Sequence, residues 1–315
     1  MSRKSTLKFP VKALLIAYFC LTTADINAEP NNSLTLLLGQ SSNDYFEEFP
    51  SSLDTETKGF VYAYSFSDSL TISVSTQESD GNGRWLATER DNFSTYNRAE
   101  TELKSYAISS SWSGEIYSFD ASFNNSEARE QSLSWLPRVV EQLESDSKVF
   151  DFSVSRSVDW LQFSDANQLS FDWSIGLQHA DFEAEIIDVI GTEAQLIVSS
   201  DIQLKQLSSF VDVGLSWWLE RSNMAWSPYV SLNWNFELDT TGQQSAILSR
   251  GGDARPVNLL DGRFTNEINI PDSGEWQLGL ALLFDSGWSI DVSYSQTVST
   301  GYPTDKMLAS VSVFF

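Results

Sequence analysis

The last ten residues, Lys306-Met307-Leu308-Ala309-Ser310-Val311-Ser312-Val313-Phe314-Phe315, decide how the rest of the sequence is read. Met307, Ala309, Val311, Val313 and Phe315 stand at alternate positions, so a strand here puts them on one face and Leu308, Ser310, Ser312 and Phe314 on the other. Chain ends fray unless they are tied down. An apolar stripe that runs to a terminal aromatic without a polar tail is expected to be held along its whole length.

The same period recurs through the chain. Eleven further segments carry it, marked by Leu34-Leu36-Leu38, Phe60-Tyr62-Tyr64-Phe66, Leu70-Ile72-Val74, Tyr106-Ile108-Trp112, Tyr117-Phe119-Ala121-Phe123 and Phe150-Phe152-Val154. The series continues with Leu169-Phe171-Trp173-Ile175-Leu177, Val211-Val213-Leu215-Trp217-Leu219, Val230-Leu232-Trp234-Phe236, Trp276-Leu278-Leu280-Leu282-Phe284 and Trp288-Ile290-Val292-Tyr294. Mostly Ser, Gly, Asn, Asp or Thr lies between the apolar positions, which is the pattern of a half-buried strand.

A water-soluble sandwich would show the same period, and connection lengths separate the two. Links after the second, fourth, eighth and tenth segments are short, and residues 157–167 form an intermediate one. Residues 41–57, 77–103, 124–146, 179–206 and 238–274 read as long loops, with a shorter last one at 297–305. Strict alternation of short and long links is what a barrel with short turns on one side of a membrane and long loops on the other produces. The predicted fold is therefore all-β: a transmembrane antiparallel up-and-down β-barrel of twelve strands. Residues 182–204 are apolar enough for two more, so fourteen is the alternative; a protruding hairpin that continues the seventh and eighth segments is preferred.

At the other end, Arg3, Lys4, Lys8 and Lys12 precede the apolar run Ala13 to Leu21, followed by small residues. That is the layout of a secretory signal peptide, with cleavage expected after Ala28 and Ala24 as runner-up. The run is too short for a permanent spanning helix. Cys20 is the only cysteine, and Tyr18 and Phe19 stand where a lipid-anchor signal needs small residues. The expected organisation is a signal peptide at 1–28 and one barrel domain at 29–315, without disulfides.

Charge narrows the partners. Residues 1–28 hold four of the 19 basic and one of the 43 acidic residues, which leaves 15 and 42 in the barrel and a net of −27. Such a surface is a poor match for nucleic acid. Eleven Trp, ten Tyr and twenty Phe accompany a mean hydropathy of −0.21, the combination that alternating strands with interfacial aromatic girdles give.

The Phe-terminated final strand resembles the C-terminal signature of Gram-negative outer-membrane β-barrels. The resemblance implies an outer-membrane location and contact with the assembly machinery, read from Val311, Val313 and Phe315. Outer-membrane lipid and lipopolysaccharide are the other expected partners. Strand number and barrel length make the chain similar to the β-domain of autotransporters. The first strand begins within about six residues of the expected cleavage site, so a passenger and a plugging helix are not expected.

Candidate chemistry is sparse. Asp120, Asp151, Asp172, Asp212 and Asp291 have the parity of the polar face and are the candidates for an acidic lumen that favours cations. Arg156 has the parity of the apolar face. Glu78, Asp80, Asn82 and Glu89, with Gly83 between them, follow the spacing of a calcium loop, although Asp-Gly-Asn-Gly is also good turn chemistry. Calcium is the only cofactor suggested, and none is otherwise expected. His179 has Leu177 and Asp181 two residues away, where barrel lipid hydrolases have a serine, so an enzyme is not expected and a lipid-modifying one ranks third. The leading expectation is a channel or passive-transport barrel with a small polar, acidic lumen. A structural or surface-interaction barrel that uses long acidic outer loops is the alternative.

Overall fold

The computed structural model describes residues 32–45, 51–90, 93–135, 138–164, 166–191, 196–250, 253–257, 272–298 and 304–315. The expected signal peptide and its cleavage site lie outside them. Each alternating segment forms a strand, because only a pleated chain can turn every second side chain to one solvent while pairing all its backbone polar groups.

In chain order these are β1 (Asn32–Tyr45), β2 (Ser51–Ser67), β3 (Leu70–Arg90), β4 (Phe93–Ser113), β5 (Ser118–Trp135) and β6 (Arg138–Ser164). There follow β7 (Asn167–Ile190), β8 (Leu196–Arg221), β9 (Met224–Arg250), β10 (Asp253–Val257), β11 (Ser273–Phe284), β12 (Trp288–Thr297) and β13 (Thr304–Phe314). Neighbours pair antiparallel from β1 to β9, then β9 pairs with β11, β11 with β12, β12 with β13 and β13 with β1. That closes a barrel of twelve strands. The thirteenth strand, β10, folds back on the end of β9 outside the ring.

Closure is made by the C-terminal stretch. Val313 pairs with Leu34 and Val311 with Leu36, and on the other side Val313 pairs with Trp288 and Val311 with Ile290. Beyond the strand, Phe315 and Asn32 exchange both backbone hydrogen bonds at 3.0 Å. No free edge remains at the seam.

The outer face carries a broad apolar band, including Phe60, Tyr62, Tyr64, Phe66, Tyr106, Ile108, Trp112, Phe150, Ile175 and Leu278, all exposed. Aromatic pairs mark its lower rim beside the short turns: Phe284 stacks on Trp288 at 3.8 Å and Trp112 lies 5.3 Å from Phe119. No large side chain among the described residues is fully buried. The hydrophobic surface therefore faces lipid rather than a core.

The predicted long loops are a correction. Residues 77–103 belong almost entirely to β3 and β4 and residues 124–146 to β5 and β6, whereas residues 179–206 form the ends of β7 and β8 as the expected protruding hairpin, with Gly191 at φ 102° at its tip. The intermediate link is also shorter than expected, since β6 runs to Ser164 and β7 starts at Asn167. Pairing continues there in register, Ala184 with Ile202 and Gln142 with Ile187, so the wall extends beyond the band. At the ends of β7 and β8 the polarity of the faces is reversed. Outward positions become Glu183, Glu185, Asp201 and Gln203, whereas inward ones become Phe182, Ala184, Ile202 and Leu204. Water bathes the outside there, so the outer stripe turns polar while the period of two persists.

Candidate functional site: the lumen

Inward positions follow from the register. On β5 to β9 they run through Ser118, Asp120 and Ser122; Asp151, Ser153 and Ser155; Asp172, Ser174, Gly176 and Gln178; Ser208, Phe210, Asp212, Gly214 and Ser216; and Tyr229, Ser231 and Asn233. All five predicted carboxylates occupy this face. They do not form a ring, because β5 to β8 carry four of them and Asp291 stands alone on β12. The inward face of β1 to β4 has mostly hydroxyl, amide and small side chains beside Leu37, Val61 and Leu103, with Thr35 bonded to Ser312 at 2.8 Å and Ser73 to Ser109 at 2.6 Å.

Hydroxyl and amide groups from neighbouring strands hold the carboxylates. Ser122 Oγ donates to Asp151 Oδ2 at 2.9 Å and Gln178 Nε2 to Asp151 Oδ1 at 2.8 Å. Asp212 accepts from Ser174 Oγ at 2.6 Å and from Asn233 Nδ2, which in turn accepts at Oδ1 from Asn235 at 2.8 Å. Asp291 Oδ1 accepts from the Tyr229 hydroxyl at 3.1 Å. Weaker contacts link Ser216 to Asp172 at 3.4 Å and Ser155 to Asp120 at 3.5 Å. None of the five has an ion-pair partner among the described residues; the ion pairs found there involve outward side chains. Neutral donors orient these carboxylates without supplying a countercharge.

Asp172, Asp212 and Tyr229 line one lumen recess of about 410 Å³ with Ser118, Ser174 and Ser231. Asp120, Asp151 and Asp291 lie outside that recess. Sequence reading missed Tyr229, because its aromatic ring in a mostly apolar segment hides the polar parity of the position. It also missed Glu130, Glu141 and Asp188, which face inward in the extension and lay in stretches read as loops.

Other candidates are placed elsewhere. Arg156 faces outward, 5.6 Å from the Tyr117 ring centroid. His179 is an outward rim residue with Nε2 3.6 Å from Asp181 Oδ1. Glu78, Asp80, Asn82 and Glu89 all lie on β3, an extended strand, rather than on a loop. Eleven residues of extended chain separate Glu78 from Glu89 by about 36 Å, so they do not converge, and the calcium-loop reading fails on geometry. Glu78 instead lies 3.0 Å from Lys58 and 3.7 Å from Lys104. Val311 and Val313 share the outward parity of Ile290 and Trp288, with which they pair, and Phe315 follows the last strand residue.

No family model matches the sequence, and no curated protein matches it in sequence. Similar folds are found among solved structures. The translocator domain of the autotransporter NalP from Neisseria meningitidis superposes with a TM-score of 0.61 at 12% identity, over 96% of this chain and 94% of that one. The transport unit of the autotransporter AIDA-I from Escherichia coli gives 0.55 at 12% identity, over 96% and 97%. The β-domain of the Bordetella autotransporter BrkA gives 0.52 at 9% identity, over 91% and 100%. The expectation that the chain is not an enzyme needs correcting. LpxR from Salmonella typhimurium, an outer-membrane enzyme, also matches, with a TM-score of 0.44 at 8% identity over 90% and 100%. A likeness so distant transfers no activity to this chain. With its apolar outer band, the fold shared with the three autotransporter domains places the chain in a bacterial outer membrane, as a closed twelve-stranded β-barrel.

Proposed function

We propose that the barrel is a passive outer-membrane channel for small polar solutes, with an acidic lumen that favours cations over anions. The observation that carries this reading is the set of five inward carboxylates, held by neutral donors and without a basic partner among the described residues. Fixed negative charge between low-dielectric walls raises the local cation concentration and lowers that of anions. Serine hydroxyls across the same face offer exchangeable hydrogen bonds to a passing hydrated solute.

Planar-bilayer recording of the refolded chain in a KCl gradient tests this. Discrete conductance steps with a reversal potential on the cation-selective side are expected. The variant Asp151→Asn/Asp212→Asn should move that potential towards zero while steps persist. Absence of steps, or anion selectivity, overturns the proposal.

A further inference from the structure

Three tiers of different chemistry follow one another along the outer face of β2 to β6. The lowest is apolar and exposed, with Phe60, Tyr106, Phe123 and Phe150. Lysines come next. Lys58, Lys104 and Lys148 each stand two residues beyond an aromatic of the first tier, and Lys205 stands two beyond Leu207. Beyond residue 28 the chain has five lysines, and four of them are these. In a chain with a net charge of −24 that concentration at one depth is informative. Glu78 lies between Lys58 and Lys104 at 3.0 and 3.7 Å, matching the register Lys58–Glu78–Lys104, and so holds the two ammonium groups of the strands on either side of it.

The third tier is a polar groove of about 490 Å³ across β3 to β6. Its outward lining includes Asp80, Asn82, Glu102, Arg129, Gln142 and Glu144, with Arg129 Nε 3.5 Å from Glu144. The second and third tiers are contiguous: Lys58 lies 3.9 Å from Asp80, and Lys104 lies 3.8 Å from Glu102. Amides and carboxylates in a groove of this size suit sugar hydroxyls, which donate as well as accept. They repel phosphate, which belongs on the lysines one step nearer the membrane.

We propose that this face docks a phosphorylated glycolipid of the outer leaflet, with acyl chains on the aromatic band, phosphate on Lys58, Lys104 and Lys148, and sugar in the groove. The order of the three chemistries along the membrane normal is the order in which such a lipid presents them. Lysines that merely snorkel to the interface would select no headgroup, and that difference can be measured.

The test uses the full-length chain, purified in detergent, its fold verified by heat-dependent mobility, and incubated in EDTA with one lipid at a time. Native mass spectrometry then reads how much lipid each barrel retains. Diphosphorylated lipid A should be retained, while dephosphorylated lipid A and phosphatidylglycerol, which carries phosphate without the sugar, should each be retained about tenfold less. Free glucosamine phosphate, without acyl chains, should not be retained. The variant Lys58→Gln/Lys104→Gln should lose lipid A by about the same factor, and Lys58→Arg/Lys104→Arg should keep it. Equal retention of phosphatidylglycerol overturns the proposal. So does dependence on divalent cations, which would shift the contact to the carboxylates. The lipid comparison needs no variant and decides even if the glutamine variant fails to fold.

Discussion

At the scale of single residues, the lumen depends on close approach between aromatic rings and glycine. The Tyr229 ring lies over Gly279 and the Phe210 ring over Gly176, where an added Cβ would collide with them. Tyr229 is thereby turned so that its hydroxyl reaches Asp291 at 3.1 Å. Gly279→Val is expected to push the ring away and destabilise the barrel by about 1 to 3 kcal/mol, as overpacking does elsewhere. Urea unfolding in lipid vesicles would register it, and an unchanged midpoint would show that the ring has no fixed seat there. The five aspartates are residue-scale features that share one strand parity in the sequence. Their hydrogen-bond donors were not legible, because a donor directly opposite on the neighbouring strand can be tens of residues away in sequence, as Ser122 is from Asp151.

At the scale of elements, the extension of β5 to β7 contains an electrostatic conflict. Glu141 pairs directly with Asp188 across β6 and β7, and Ser132 is its partner on β5, two residues from Glu130. Burial raises the Glu130 carboxyl above its usual 4.5, and burial followed by the charges of Asp188 and Glu130 raises that of Glu141. A raised carboxyl binds its proton more tightly in the folded state. Its contribution to stability is therefore greatest below pH 4.5 and falls as pH climbs towards the folded value. Amide exchange, corrected for intrinsic rates, should show the ends of β5, β6 and β7 better protected in mild acid than at neutral pH. Glu141→Gln should raise protection at neutral pH and flatten the dependence. An identical pH response in variant and parent would remove Glu141 as the cause.

The same elements explain why the predicted loops were wrong. Strands were found by apolar residues on what becomes the outward face, and above the membrane that face meets water. Asp80, Glu102, Arg129 and Glu144 therefore read as loop, although the backbone around them is paired as fully as that around Trp173. A polarity switch with the period preserved, rather than the loss of apolar residues, was the signal to follow.

At the scale of the molecule, the barrel is uneven. Strands β6 to β9 run 24 to 27 residues, whereas β11 to β13 run 10 to 12. The tall side rises well beyond the lipid band, and the low side contains the seam. Removing residues 304–315 should leave β1 and β12 each with an unpaired edge in a solvent that offers no hydrogen bonds. The truncated chain is expected to give no heat-modifiable folded band after refolding into vesicles. Recovery of a folded barrel with conductance would mean that β12 can close directly on β1.

By itself the sequence determined the class of fold, the strand count within the membrane and the common parity of the five aspartates. All three follow from a period of two read against a solvent that changes only from lipid to lumen, which is local information. Only the tertiary structure decided that the outer stretches remain strand, that the calcium spacing spreads along an extended chain, and that lysines from three separate strands share one depth. Those facts depend on register between strands far apart in sequence. Register is set by the cooperative pairing of the whole closed sheet, not by any one segment.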